Sequence, residues 1–476
     1  MPPPVALALT LGFIAVLFWR DRRAHPELSA ALWLPVIWFF LTGSRYVGQW
    51  LFLFGISFGP VSQEDGSPLD AAFFLLLIIA GITVLVRRRI SVGDLVRNNG
   101  WLSFFLLYTA LAILWSDFPF VAVKRWVKEL GHPVMALIVL TDAGPKDALR
   151  AVLRRVSYLL LPPSILTIKY YPQIGRGFDT WSGAATNFGI TNSKNDLGYV
   201  CALLGMFFCW NLMSAWRIEN KQERRREFAL TLMCLWMIWW LLSMAHSSTS
   251  LVCTLIGVGT MLAVSTRFVS KRFIGTSLVI AIVLVVAANS AFGLYDRIVE
   301  EGLGKNASLT DRTGVWQDAI AMATNPLLGA GFESFWLGPR LDAMWAKWWW
   351  HPTQAHNGFI ETYLNLGLVG LGALIGLIIA TFRKARQELL RDLDFGRFRL
   401  GVLLAIVVYN YTEAIFKALH PLWTLFYLIA VDVPPNEAPK SAKVPVARSS
   451  RTVPSPRQFE VRVRYPPVAA RSHRSR

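Results

Sequence analysis

Apolar runs recur along most of this chain, divided by short polar or basic connections. Many approach the roughly 20 residues that cross a bilayer core as a helix. Spans are expected near 5–19, 28–43, 69–86, 100–116, 126–141, 154–170, 196–214, 228–245, 249–266, 273–292, 358–381, 400–416 and 418–432. The expected fold class is an all-α polytopic membrane protein with about 12–14 transmembrane helices. The first run has no basic stretch before it and no small-residue cleavage site after it, so it is expected to remain as a helix. Residues 46–59 are apolar but short and Gly-rich. They suit a re-entrant or interfacial segment, or a further span.

One stretch breaks the pattern. Residues 293–357 form a polar segment of about 65 residues between two apolar runs. Loops this long are functional or disordered, and this one is too aromatic and too apolar to read as disordered. It is expected to be the working part of the protein. The chain then divides into amino-terminal helices (1–170), a short outer loop (171–195), central helices (196–292), the large outer loop (293–357), carboxy-terminal helices (358–432) and a tail (433–476).

Charge orients these segments. The net charge is +18, yet only 16% of residues are charged and mean hydropathy is +0.42. The tail holds ten Lys/Arg against Glu437 and Glu460 and is Pro-rich, which predicts disorder. Other basic residues cluster around 20–23, 87–89, 146–155, 217–226, 267–272 and 383–399. By the positive-inside rule these loops face the cytoplasm, and loops 171–195 and 293–357 face outward. Lys124 and Arg125 are the main exception. This distribution fits an anionic lipid surface, not nucleic acid. Cys201, Cys209, Cys234 and Cys253 lie in apolar runs without metal-ligand spacing and are expected to be core residues.

Polar residues that suit chemistry gather at the outer edge. The stretch 312–323 reads as a short amphipathic helix with Val315, Trp316, Ala319, Ile320 and Ala323 on one face. Asp311 caps or charges its start, and Asn325-Pro326 stops it. Gly329 and Gly331 permit a tight turn or a close approach. Arg312 is either an ordinary surface arginine or a guanidinium fork for a phosphate. His356 is a structural hydrogen-bonder, a base, or a cation that stabilises a leaving phosphate. Glu361 is a membrane-embedded carboxylate, or it orients its neighbours. Arg176, between two glycines, and Lys194 are weaker phosphate candidates. Trp345, Trp348, Trp349 and Trp350 suit an interfacial belt, or a surface for sugar or lipid.

The chain shows no P-loop, GxGxxG, HExxH or outer Asp-x-Asp pair. No cofactor and no metal are expected. An enzyme working outside the cytoplasm without ATP needs an already activated donor, and a lipid-linked pyrophosphate sugar is one. Breaking its anomeric C–O bond develops charge on pyrophosphate, which cations stabilise.

Arg312-x-x-x-Trp316, Asn325-Pro326-x-x-Gly329-x-Gly331, His356-Asn357-x-x-Ile360 and Gly367-x-x-Gly370 together resemble the O-antigen ligase / Wzy-type polymerase family. Within it the chain is most similar to exopolysaccharide polymerases of Gram-negative bacteria. Gly177-Phe178 through Asn187, Asn195 and Gly198 resemble the family's shorter outer region. The resemblance covers roughly residues 170–380 and implies a GT-C-like inner-membrane glycosyltransferase. Its donor would be an undecaprenyl-pyrophosphate-linked glycan taken at the periplasmic face. Its acceptor would be another glycan, or lipid A core. A polysaccharide flippase and a chain-length regulator would be further partners. The resemblance makes Arg312 and Arg176 pyrophosphate-binding candidates, with His356 activating the acceptor hydroxyl or stabilising the leaving group. Together with the residue readings, His356 and Arg312 are expected to be catalytic, and Arg176, Lys194, Trp316, Asn357 and Glu361 to bind substrate. One departure stands out: where the family often carries Ser followed by a cation, this chain reads His246-Ser247-Ser248-Thr249-Ser250. A transporter is the rival from another class, but it would concentrate charge within the spans.

Overall fold

The computed structural model describes residues 1–57, 67–179, 183–278, 280 and 312–434. Among these, seven helices are long and apolar enough to cross a membrane. An eighth is present if Ala30–Gly43 and Val47–Leu53, bent by 61°, count as one broken span. The only strands among the described residues are Arg176–Phe178 and Ala185–Asn187, an antiparallel pair with Arg176 opposite Asn187. The protein is an all-α polytopic membrane protein.

Several apolar runs are cut shorter than hydropathy suggests. The run at 126–141 is split between Pro119–Glu129 and Gly131–Leu140. A Cβ on Gly131 would fall 1.9 Å from the Trp38 ring, so the chain can pass there only as glycine. The run at 100–116 leaves its helix at Leu111. The run at 400–416 ends its helix at Thr412, and 418–432 shortens to Pro421–Ala430. The span expected at 273–292, the loop residues up to Asp311 and the tail beyond Pro434 lie wholly or largely outside the described residues.

Pro145–Tyr170 and Lys194–Ala215 sit centrally, with 83% and 78% of their apolar windows buried. Pro3–Ala24, at 17%, is peripheral and leaves Leu9, Leu11 and Val16 for lipid. Small residues bring helices together: a Cβ on Gly401 would meet the Gly257 carbonyl oxygen at 2.6 Å, joining Leu393–Thr412 to Ser248–Ser265. The four cysteines are free; Cys201, Cys234 and Cys253 are buried in this packing as expected, and Cys209 is half-buried.

Basic loops meet one another at one end. Arg155 pairs with Asp21 (2.6 Å), Arg88 with Asp142 (2.8 Å), Arg154 with Glu227 (2.6 Å) and Arg150 with Asp394 (3.0 Å). The segments expected outside meet separately: Arg45 donates to the Ile174 carbonyl (2.8 Å), and Arg340 pairs with Asp117 (2.7 Å). Arg125, the exception to the charge pattern, belongs to this second group, because it donates to the Glu333 carbonyl.

The described part of the large loop has its own core. Val315 and Ala319 of helix Arg312–Ala321 pack with Phe335, Trp336, Leu341, Met344 and Ala355. Trp345, Trp348 and Trp350 pack against this cluster. Trp348 also donates to Asp318 (2.9 Å), so much of the tryptophan belt is internal structure. Trp349 remains 62% exposed.

The loop docks on helix Gly358–Arg391 where that helix breaks at Gly367, with φ 64° and ψ −166°. The break frees backbone groups, and the loop takes them up. Leu368 N–H donates to the Pro326 carbonyl (2.8 Å), Ala330 N–H to Leu364 (3.0 Å) and Gly331 N–H to Asn365 (2.9 Å). Gly329 and Gly331 both have positive φ, and a Cβ on Gly329 would lie 2.4 Å from the Asn365 carbonyl carbon. The Asn-Pro-x-x-Gly-x-Gly motif is thus the clasp between loop and membrane helix.

Candidate functional site

Three residues from three segments converge beside this clasp. Arg312 opens the loop helix Arg312–Ala321, and His356 stands just before helix Gly358–Arg391. Glu413 follows the end of helix Leu393–Thr412 with an extended backbone. Arg312 Nη2 lies 3.0 Å from Glu413 Oε1, and His356 Nδ1 lies 2.8 Å from Glu413 Oε2. Arg312 Nη1 donates to the Thr412 carbonyl. Asn195 Nδ2 adds a long contact of 3.5 Å to Glu413 Oε1.

Burial opposes the charge on Glu413. The hydrogen bond from His356, then the guanidinium of Arg312, outweigh it and hold the carboxyl below its usual range. An ionised carboxylate only accepts, so His356 Nδ1 carries a proton toward it. In the neutral ring this leaves Nε2 with a free lone pair, the state a base needs. The contact from Gln354 Nε2 to the same Nδ1, at 3.4 Å, is the weaker of the two and cannot also be a donated bond in this tautomer.

His356 is held in a strained shape. Its φ is 49°, a left-handed value that costs a non-glycine residue about 1–2 kcal/mol. Ala355, just before it, is pinned on both polar atoms. Its N–H donates to Glu361 Oε2 (2.9 Å), and its carbonyl accepts from Trp316 Nε1 (2.6 Å). Glu361 also accepts from Trp336 Nε1 (2.9 Å) and Asn365 Nδ2 (3.0 Å). Asn357 caps the following helix through bonds from the N–H groups of Phe359 (3.0 Å) and Ile360 (3.2 Å). Trp316, Asn357 and Glu361 therefore shape the turn that presents His356.

Residues 232–375 match the family model described as O-antigen ligase. The exopolysaccharide production protein ExoQ of Rhizobium meliloti (strain 1021) is 27% identical over 331 residues, 64% of this chain and 70% of that protein. Over these segments the chain is similar to the O-antigen ligase/Wzy-type family, and the similarity supports a membrane enzyme of polysaccharide biosynthesis, of the ligase/polymerase kind, whose substrates are lipid-linked glycans. The matched segment contains Arg312, Trp316, His356, Asn357, Glu361 and the clasp, but stops short of Glu413.

The remaining candidates stand apart. Arg176 donates to the Ile168 carbonyl (2.8 Å) from its strand, and Lys194 pairs with Asp179. None of these contacts joins either residue to His356 or Arg312. Sequence reasoning missed Glu413, Gln354 and Lys417. Lys417 Nζ donates to Gln354 Oε1 at 2.8 Å, which brings a second cation near His356. The available signal for Glu413 was a carboxylate inside an apolar run, a functional flag in its own right.

Proposed function

We propose that this protein is an inner-membrane glycosyltransferase that polymerises undecaprenyl-pyrophosphate-linked repeat units into exopolysaccharide or O-antigen at the periplasmic face. The observation that carries the reading is the chain Arg312–Glu413–His356, a cation and a base held by one carboxylate. In a single displacement the acceptor hydroxyl attacks the anomeric carbon of the donor. The bond from that carbon to the pyrophosphate oxygen breaks, and the configuration inverts. His356 Nε2 takes the acceptor proton, while lipid pyrophosphate leaves with the bonding electrons. Arg312 offsets the charge that develops there, so the step calls for no metal. Arg176 and Lys194, in the short outer loop, remain second-line contacts for the phosphates.

The relative's name, exopolysaccharide production protein, favours the polymerase. The family description, O-antigen ligase, keeps transfer to lipid A core as the second reading.

The test is the surface glycan of a deletion strain complemented with wild type, Arg312→Ala or His356→Ala, with membrane levels checked. Single repeat units in both variants, against long polymer in wild type, support the polymerase. Polymer retained on undecaprenyl pyrophosphate that never reaches lipid A supports the ligase. Full-length polymer in both variants would overturn the site.

A further inference from the structure

A cavity of about 170 Å³ lies under the outer loop, where Glu333 and Trp336 meet Glu129, Glu361, Lys417 and Trp423. It has room for about six waters, close to a cavity that takes a benzene ring and so the scale of a sugar ring. Gln354 also lines it, and Gln354 is the residue that joins Lys417 (2.8 Å) to His356 (3.4 Å). The cavity is therefore next to the proposed base.

Its lining does not suit a pyrophosphate. Three carboxyl groups, Glu129, Glu333 and Glu361, stand with two cations, Arg125 and Lys417, around a buried space. Carboxylates accept hydrogen bonds from hydroxyls, and aromatic faces such as those of Trp336 and Trp423 cover the apolar side of a sugar ring. A neutral, hydroxyl-rich ligand fits this lining.

Glu129 supplies the sharper observation. It is 2% exposed, and its Oε1 accepts from Trp423 Nε1 (2.5 Å) and Tyr427 OH (3.1 Å). Its Oε2 has no hydrogen bond. The nearest cationic candidate, His132 Nε2, is 3.7 Å away and already accepts from the Leu419 N–H (3.1 Å). With Nδ1 bonded to Thr424 Oγ1 (2.7 Å), the His132 ring is a neutral tautomer with no proton for Glu129. A buried carboxylate oxygen left without a donor is costly, and a ligand hydroxyl would satisfy it. The backbone here is also strained: Glu333 (φ 45°) lines the cavity, and Leu419 (φ 62°) follows Ala418, another lining residue.

We infer that this cavity is the acceptor site, holding the terminal sugar of the growing or incoming glycan with its hydroxyls on the carboxyl groups of Glu129 and Glu333. The inference rests on the glycosyltransferase reading and adds which substrate sits where. Donor pyrophosphate lies on the Arg312 side, and acceptor sugar lies between Glu129 and Glu333.

The test is direct binding to the full-length protein in micelles. The probe is a mixture of oligosaccharides released from the producing strain's own polysaccharide by partial acid hydrolysis. Wild type and a surface control, Arg225→Gln, are expected to bind alike. Glu129→Gln and, independently, Glu333→Gln are expected to weaken binding about tenfold, and inorganic pyrophosphate is expected not to compete. Equal binding by both variants, no binding by wild type, or displacement by pyrophosphate would each overturn the assignment. Binding is read without turnover, so a protein that binds these sugars yet makes no polymer would sink the transferase reading and leave the cavity assignment standing.

Discussion

With one carboxylate oxygen on Arg312 and the other on His356, Glu413 fixes the spacing of two residues that lie 44 positions apart in the chain. Glutamine at this position can accept on one side only and presents an N–H donor to the other partner. Glu413→Gln is therefore expected to lower polymer formation by roughly a hundredfold or more. It is also expected to cost about 3 kcal/mol of stability, because it leaves a poorly exposed arginine without its charge partner. The pH dependence has a definite sign. The carboxyl is depressed on folding, so its contribution is complete above the unfolded value of about 4.3 and is lost as pH falls through the lower folded value. Thermal unfolding of wild type in nanodiscs should steepen with acid below about pH 4.3, and Glu413→Gln should flatten that slope. Identical slopes would show that Glu413 is not ionised in the folded protein.

At the scale of elements, the loop and the broken helix depend on one another. Without Gly329 the clasp cannot close, because a Cβ would strike the Asn365 backbone at 2.4 Å and alanine resists φ 71°. Gly329→Ala is expected to lose at least about 2 kcal/mol and to release the loop, read as new protease cleavage within 312–357. Unchanged proteolysis and unchanged melting would mean the clasp is not needed.

Sequence foresaw the local parts of this arrangement. The amphipathic period placed the helix at 312–323, close to the observed Arg312–Ala321, and the glycines marked the turn. What it could not supply is any contact across a hundred residues, such as Arg312 to Thr412 and Glu413. Glu413 was hidden because the run at 400–416 reads through it as apolar, whereas the helix stops one residue earlier. The role of Asn357 was equally illegible, and for Glu361 orientation of its neighbours was one reading among several, since a cap and a tether use the same polar atoms that a substrate would.

Among the described residues, charges separate by end. Basic loops are neutralised among themselves by Asp21, Asp142, Glu227 and Asp394, and the large loop closes over the opposite end with Arg312, Glu413, His356 and the Glu129 cavity. Arg125 departs from the charge rule because it works at that opposite end, on the Glu333 carbonyl.

The most direct measurement is turnover by purified full-length protein in nanodiscs, given only lipid-pyrophosphate-linked repeat units and a metal chelator. Wild type should lengthen the lipid-linked glycan and release polyprenyl pyrophosphate in step, while His356→Ala and Arg312→Ala should do neither. Absence of elongation by wild type, or elongation that survives loss of His356, would contradict the account.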